Sequence, residues 1–209
     1  MPSNRLLRTG GSQCRVIHLS LIVSSQFLLF AQFHYFIRNR YIPVPNHFQK
    51  YERFEPIYDL AKAYKKPVAI HTGQTAGSKA FIKYSHPLTL DEAAVRHPDV
   101  QFVMCHFGNP WLMDAAAVVE KNENVAADLS GLLEGKFDIP EFLEEQSGYI
   151  STLKTWLAYI RDYDKLMFGT DWPLANYEDY IEITKRLIPE KYWETVFYQA
   201  AERIYHCNF

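Results

Sequence analysis

Three side chains that can bind a metal or carry a proton stand directly behind short apolar runs of the sequence. His71 and His106 each end such a run, and Asp171 follows another after a Gly-Thr pair. A fourth run, Val125–Ala127, leads into Asp128. Short apolar runs of this kind are typical of buried parallel strands. The C-terminal ends of parallel strands share one face of the sheet, where α/β enzymes place their sites, so we expect these four side chains to converge.

Two imidazoles and one or two carboxylates on one face suit a divalent metal, zinc first, with manganese or iron as alternatives. Such a metal would lower the pKa of a bound water and yield hydroxide near neutral pH. Asp171 could bind the metal and accept the proton of that water. His106 could bind the metal, or it could polarise a substrate carbonyl and shuttle a proton. Asp128 is expected to orient its neighbours or cap a loop.

Helical and strand patterns alternate from residue 54 onwards, which predicts βα units on a parallel sheet with right-handed crossovers. An open doubly wound sheet and a (β/α)8 barrel both fit this order. No dinucleotide-binding or P-loop glycine motif is present. The predicted helices cover residues 54–66, 89–97 with Thr89 as the N-cap of a capping box, 111–121, 150–160, 177–187 and 190–205, and no element is predicted for 134–148.

Composition is that of an ordinary globular domain. The chain has 209 residues, 48% of them apolar and 22% charged, with a net charge of -2, so nothing indicates a nucleic-acid partner. Cys14, Cys105 and Cys207 are too widely spaced for a disulfide framework or a CxxC metal site. This cysteine usage favours a reducing cytoplasm.

The first 45 residues differ from the rest of the chain and are treated as an atypical N-terminal segment. No acidic residue occurs before Glu52, and Val16–Ile37 contains no charged residue apart from histidine. The run is long enough for one membrane span, but its serine, glutamine and histidine side chains are costly in hydrocarbon. An export signal, buried elements and a segment outside the fold are the other interpretations, and we expect no membrane partner.

Five motifs resemble those of one family, the amidohydrolase-related, metal-dependent TIM-barrel hydrolases, which include aminocarboxymuconate-semialdehyde decarboxylase and its relatives. The resemblance covers about residues 46–205, and residues 46–209 are therefore interpreted as the C-terminal part of such a barrel. The motifs are Ile70–Gly73, Lys83–Leu88, His97–Trp111, Asp128–Gly131 and Phe168–Pro173.

The resemblance assigns roles to individual residues. It implies that His71 is the metal ligand ending the fifth barrel strand, and that Asp171, ending the eighth, is both metal ligand and base. It implies that His106, ending the sixth strand, is catalytic. Four further residues are implied to lie near the substrate, although each could equally serve loop structure or packing: Tyr84, Asn109, Trp111 and Trp172.

One part of the family pattern is missing. The family carries a His-x-His pair on its first strand, whereas in this chain His18 is followed two positions later by Ser20. Forty-five residues are also too few for four strands and their helices, so we expect an incomplete barrel, with a truncated gene model as one explanation. A second copy could complete the barrel as a homodimer.

Three hypotheses on function follow. The first is a metal-dependent hydrolase that attacks a C–N or C–O bond of a small molecule. The alternatives are non-oxidative decarboxylation of a small carboxylic acid in the same fold and an inactive, metal-poor homologue. No arginine lies in the five motifs to clamp a substrate carboxylate, and this favours hydrolysis.

Overall fold

Short strands alternate with helices along residues 54–136 and 138–207, the part of the chain that the computed structural model describes. The atypical segment 1–45 and its candidate His18 lie outside these residues. The strands are β1 (Val68–His71), β2 (Phe102–Cys105), β3 (Val125–Asp128) and β4 (Leu166–Met167). The α-helices are α1 (Glu55–Tyr64), α2 (Leu88–Arg96), α3 (Leu112–Lys121), α4 (Ile139–Glu145), α5 (Ser147–Tyr159), α6 (Tyr177–Leu187) and α7 (Ala200–Tyr205).

The four strands form one parallel sheet in the order β1-β2-β3-β4. Each strand therefore pairs with the next one along the chain, and the order does not reverse as it does in a doubly wound sheet. Sequential parallel pairing is the arrangement of a (β/α)8 barrel. The expectation of a barrel-type α/β fold is confirmed, with four strands in the described residues where a complete barrel has eight.

Alternate residues of each strand face two different cores. Phe102 and Met104 of β2 belong to the larger core, which the strands share with helices α1 to α6. Val103, between them, points to the opposite face, as the period of two in a strand requires. Helix α7 packs against that second face and contributes small residues to it. The buried members of this second core are Val103, Ala126, Met167, Ala200, Ala201 and Ile204.

The start of α2 differs from the prediction. Thr89 is not the N-cap, because the helix begins at Leu88, and the Thr89 hydroxyl donates to the His86 carbonyl at 2.8 Å. Pro87 occupies the position before the helix with φ -49° and ψ -36°. Proline has no N–H to leave unpaired and its φ already fits a helix, so it starts this one a residue earlier.

Two further segments differ from their predictions. The stretch 134–148 holds helix α4, whose N-cap Asp138 accepts a hydrogen bond from the Glu141 N–H at 3.0 Å. The segment 190–205, predicted as one helix, contains a 3₁₀ turn at Glu190–Tyr192 and a π-turn at Thr195–Gln199 before α7 begins. The π-turn carbonyl of Val196 accepts from the Phe168 N–H at 2.8 Å, which ties this segment to the end of β4.

No helix in residues 54–136 or 138–207 is both long enough and apolar enough to cross a membrane. The run Val16–Ile37, which raised that question, lies outside the described residues.

Tyr180 of α6 fixes the loop that follows β3. Its side chain is 1% exposed, and its hydroxyl donates to the Leu129 carbonyl and accepts from the Leu132 N–H at 3.1 Å. Burial raises the pKa of Tyr180 well above its usual range, so the hydroxyl keeps its proton and stays a donor. The helix thereby holds the backbone on both sides of Ser130.

We expect Tyr180→Phe to lower the free energy of unfolding by about 1–3 kcal/mol, because a buried carbonyl and a buried N–H both lose their partner. Urea unfolding of the full chain measures the change. Tyr159→Phe is the matched control, since Tyr159 is 45% exposed and its substitution should stay within about 0.5 kcal/mol of the wild type. Equal stability of the two variants would contradict this role of Tyr180.

Candidate active site

The side chains of His71 and His106 meet at the C-terminal ends of β1 and β2. Their ring centroids are 4.9 Å apart with an interplanar angle of 67°. Parallel pairing brings them together, because His71 lies opposite Cys105, the residue before His106. Both ring nitrogens of His71 are shielded from solvent. The expected convergence of these two histidines is thus present.

The backbone bends sharply at His106. His106, Phe107 and Gly108 have φ values of 65°, 44° and 62°. Left-handed conformations are uncommon for residues with a Cβ, so the surrounding structure must hold them in place. The Asn109 N–H closes the turn on the His106 carbonyl at 3.0 Å. The turn ends β2 and presents the His106 side chain at the tip of the sheet.

A carboxylate at the tip of β3 supports His106. The Oδ1 atom of Asp128 accepts hydrogen bonds from the His106 N–H at 3.1 Å, from the Ser130 N–H at 3.0 Å and from the Ser130 hydroxyl. The Ser130 Oγ lies 2.9 Å from His106 Nδ1. Asp128 therefore orients its neighbours, as expected for it, and it acts on the His106 ring through Ser130.

Gly131 forms the surface on which the His106 ring rests. Its φ is 60°, and a Cβ at this position would lie 2.4 Å from His106 Nδ1. A contact that short is impossible, so any larger residue would push the imidazole away from Ser130. Glycine is required here for space and for its left-handed backbone.

Thr72 joins the tips of β1 and β2. Its buried hydroxyl donates to the Cys105 carbonyl at 2.6 Å and accepts from the Gly108 N–H at 3.2 Å. The backbone on both sides of His106 is thereby tied to the residue that follows His71. These two bonds fix the separation of the two histidines.

Asp171 lies in an exposed turn beyond β4, with φ 58° and its carbonyl accepting from the Leu174 N–H at 3.1 Å. Its charge reaches the other tips. Burial raises the pKa of the Cys105 thiol most strongly, and the carboxylates of Asp128 and Asp171 raise it further. Cys105 is accordingly a neutral thiol among carboxylates rather than a nucleophile.

The four residues predicted to lie near a substrate are all in loops that follow strands. Trp111 packs against His86 with ring centroids 4.7 Å apart, and the Asn109 carbonyl accepts from the Gln74 N–H at 2.8 Å. The backbone of Asn109 thus joins two of these loops. This bond involves only the backbone of Asn109, so the predicted substrate-binding role of its side chain stays a prediction.

The two remaining aromatic residues differ in exposure. Tyr84 is half-buried in a 3₁₀ turn, with Lys83 Nζ 5.0 Å from its ring centroid. Trp172, directly after Asp171, is 68% exposed, which is unusual for a large indole. The binding roles of Tyr84 and Trp172 stay predictions.

The donor types of this site suit a divalent metal, since imidazole and carboxylate both bind zinc and manganese. His71 and Asp171 are the residues that would hold it. Within residues 54–136 and 138–207, no group of three histidine, cysteine, aspartate or glutamate side chains lies close enough to share one ion. The structure therefore brings His71 and His106 together, and it shows no cluster that also includes Asp171 in the described residues, so the ligand roles of His71 and Asp171 stay predictions.

Ser130 and Gly131 contact the His106 ring, and the sequence assigned no role to either. A signal was present, since a serine two positions after a strand-ending aspartate can bond back to that carboxylate. The contact with His106 could not be read from the sequence, because it depends on strands β2 and β3 being neighbours.

Several solved structures resemble this fold. One is an uncharacterized TIM-barrel protein from Bordetella bronchiseptica, with 24% identity and a TM-score of 0.55 over 73% of this chain and 50% of that one. A second is a zinc-bound amidohydrolase from Burkholderia multivorans, with 19% identity and a TM-score of 0.54 over 74% and 57%. A third is a probable 2-pyrone-4,6-dicarboxylic acid hydrolase from Acinetobacter baumannii, crystallised with citric acid, with 15% identity and a TM-score of 0.52 over 79% and 61%.

This chain therefore spans between half and two thirds of the length of these structures, and at such identities the likeness concerns the fold. No curated protein matches the chain. The sequence profile of the amidohydrolase family, by contrast, matches residues 38–207, which is most of the chain and includes every strand and helix described above. The chain belongs to the amidohydrolase family.

Proposed function

We propose that this chain is part of a metal-dependent hydrolase that uses a metal-activated water to cleave a C–N or C–O bond of a small molecule. The observation that carries the proposal is the contact of the His71 and His106 rings, 4.9 Å apart at the strand tips. A buried imidazole suited to a metal and a supported imidazole suited to proton transfer are thereby neighbours. Asp171, four positions after β4, would supply a carboxylate.

The similar structures fit both functions, since two are described as an amidohydrolase with bound zinc and a probable 2-pyrone-4,6-dicarboxylic acid hydrolase, and another as a 5-carboxyvanillate decarboxylase from Sphingomonas paucimobilis. One observation favours hydrolysis. Within residues 54–136 and 138–207, no arginine lies in a loop that follows a strand, where it could clamp a substrate carboxylate. Decarboxylation would benefit from such a clamp.

His71 and Asp171 would hold the metal, with zinc as the first choice and manganese or iron as alternatives. When bound, a divalent ion supplies Lewis acidity that polarises a substrate oxygen and makes water a stronger acid. Asp171 lies in an exposed turn, where its carboxylate can accept a proton from water. His106 can donate a proton to the leaving group or to a substrate oxygen.

The rim residues would orient the substrate. Trp172 and Tyr84 offer aromatic faces near the exposed side of the site, and Trp111 offers another next to His86. Aromatic walls with a few polar groups are usual in small-molecule sites. The thiols of Cys105 and Cys207 are both free, which supports a reducing cytoplasm as the compartment.

The first prediction concerns metal content. We expect full-length protein purified without chelator to carry about one divalent ion per chain, and His71→Ala and Asp171→Ala each to lower this content about tenfold or more. Elemental analysis after dialysis measures it. His206→Asn and Asp59→Ala are the matched controls, since both side chains are exposed and neither residue ends a strand: Asp59 lies within α1 and His206 directly follows α7. A folded wild type without stoichiometric metal would overturn the proposal.

The second prediction separates proton transfer from metal binding. His106→Asn should lower kcat/KM about 10²–10⁴-fold while metal content stays at the wild-type level, because His106 carries a proton rather than the ion. Turnover is measured on a panel of small amides, lactones and esters, with small aromatic carboxylic acids included to detect decarboxylation.

His206→Asn serves as the control for His106→Asn, because asparagine tolerates the left-handed backbone of His206, whose φ is 52°. Unchanged turnover in His106→Asn would remove His106 from the chemistry. Release of carbon dioxide from the acids, with no cleavage of amides or esters, would replace hydrolysis by decarboxylation.

A further inference from the structure

We propose that Asp128 and Ser130 are positioning residues that hold the His106 imidazole in the tautomer with its proton on Nδ1, so that Nε2 is the atom that exchanges protons at the site. This inference rests on the proposed role of His106 and extends it to two residues that bond to His106 and to each other. It follows from the direction of the hydrogen bonds around Ser130.

The direction is set by counting protons. A carboxylate only accepts hydrogen bonds, and a serine hydroxyl has a single proton to donate. The Ser130 hydroxyl donates that proton to Asp128 Oδ1. At its 2.9 Å contact with His106 Nδ1 the hydroxyl oxygen must therefore accept, which places a proton on Nδ1.

Two glycines hold this arrangement from both sides. Gly131 lies against the imidazole, where a Cβ would come within 2.4 Å of Nδ1. Gly169, beyond β4, lies against Ser130, where a Cβ would come within 3.1 Å of the serine Cβ. Ser130 is itself buried, at 8% exposure. The serine and the ring are thus confined by close packing as well as by hydrogen bonds.

The same contact serves both protonation states of His106. A neutral ring with its proton on Nδ1 keeps a lone pair on Nε2 and can accept a proton there. A positively charged ring keeps the Nδ1–H bond to Ser130 and can donate from Nε2. A base oriented by a third group is a recurring device of acid–base catalysis, and here the orienting carboxylate acts through a serine.

The tautomer can be measured directly by long-range ¹H–¹⁵N NMR on the full-length chain labelled at histidine. The spectra are recorded over a pH series, and those of the neutral ring at its alkaline end report which nitrogen carries the proton. The signals of His106 are those lost in His106→Asn, which separates them from the other seven of the eight histidines. We expect the wild type to be protonated on Nδ1.

Two variants and a control sharpen the test. Ser130→Ala should shift most of His106 to the Nε2–H tautomer, because Nδ1–H loses its acceptor. Asp128→Asn should keep Nδ1–H, because an amide oxygen in the place of Oδ1 can still accept the hydrogen bond from the Ser130 hydroxyl. Ser85→Ala is the matched control, since Ser85 is a buried serine whose hydroxyl bonds to the carbonyls of Gly73 and Ile82 and not to His106.

An Nε2–H wild type would overturn the inference without any variant, and so would a folded Ser130→Ala that keeps Nδ1–H. None of these outcomes depends on turnover, so a failed search for a substrate would count against the proposed function alone. With a substrate in hand, Ser130→Ala should lower kcat about tenfold to a hundredfold and change KM less than about twofold, whereas Ser85→Ala should change neither.

Discussion

In-register parallel pairing of four short strands is the constraint on which the site depends. Each strand has two to four residues, and each pairs with the next one along the chain, so their C-terminal ends fall in one layer. His71 lies opposite Cys105, and Met104 lies opposite Ala127, which brings His71, His106 and Asp128 to neighbouring positions at the strand ends. A shift of one residue in any pairing would turn a tip side chain towards the opposite face of the sheet. The hydrogen bonds of Thr72, Ser130 and Tyr180 then fix loops that the ladder has already brought together.

Much of the fold could be predicted because its signals are local. Apolar runs ending in His71, His106 and Asp128 marked the strands, and the apolar stripe of 177–187 gave the bounds of α6 without error. The error at the start of α2 also has a local cause. Thr89 fits a capping-box pattern, but the helix begins one residue earlier, directly after Pro87. The division of segment 190–205 into two turns and α7 has no local signal in the sequence. The π-turn there is tied to a distant strand end, because the Val196 carbonyl accepts from the Phe168 N–H.

The sequence predicted which residue types of the candidate site lie on one face of the sheet. It did not predict which of them contact or hydrogen-bond each other. Nothing in the sequence near His106 indicates that Ser130, 24 positions away, approaches its Nδ1. The contact exists because β2 and β3 are neighbours and because Gly131 leaves room for the ring. The types and spacing of charged and polar residues can indicate which groups take part in the chemistry. The direction of the hydrogen bonds between these groups can be read only from the tertiary structure.

The two sides of the site differ in how firmly they are held. His71 and His106 end four-residue strands and are tied by Thr72, whereas Asp171 follows the two-residue β4 and lies in a turn whose residues 171–174 are all exposed. Local opening of a protein needs least free energy where buried contacts are few. The histidine side is therefore preorganised, and the turn of Asp171 is the part that can rearrange most easily. If the proposed site binds a ligand, the entropy cost of ordering would fall on the side of Asp171, which would leave room for ligands of different size without disturbing His106.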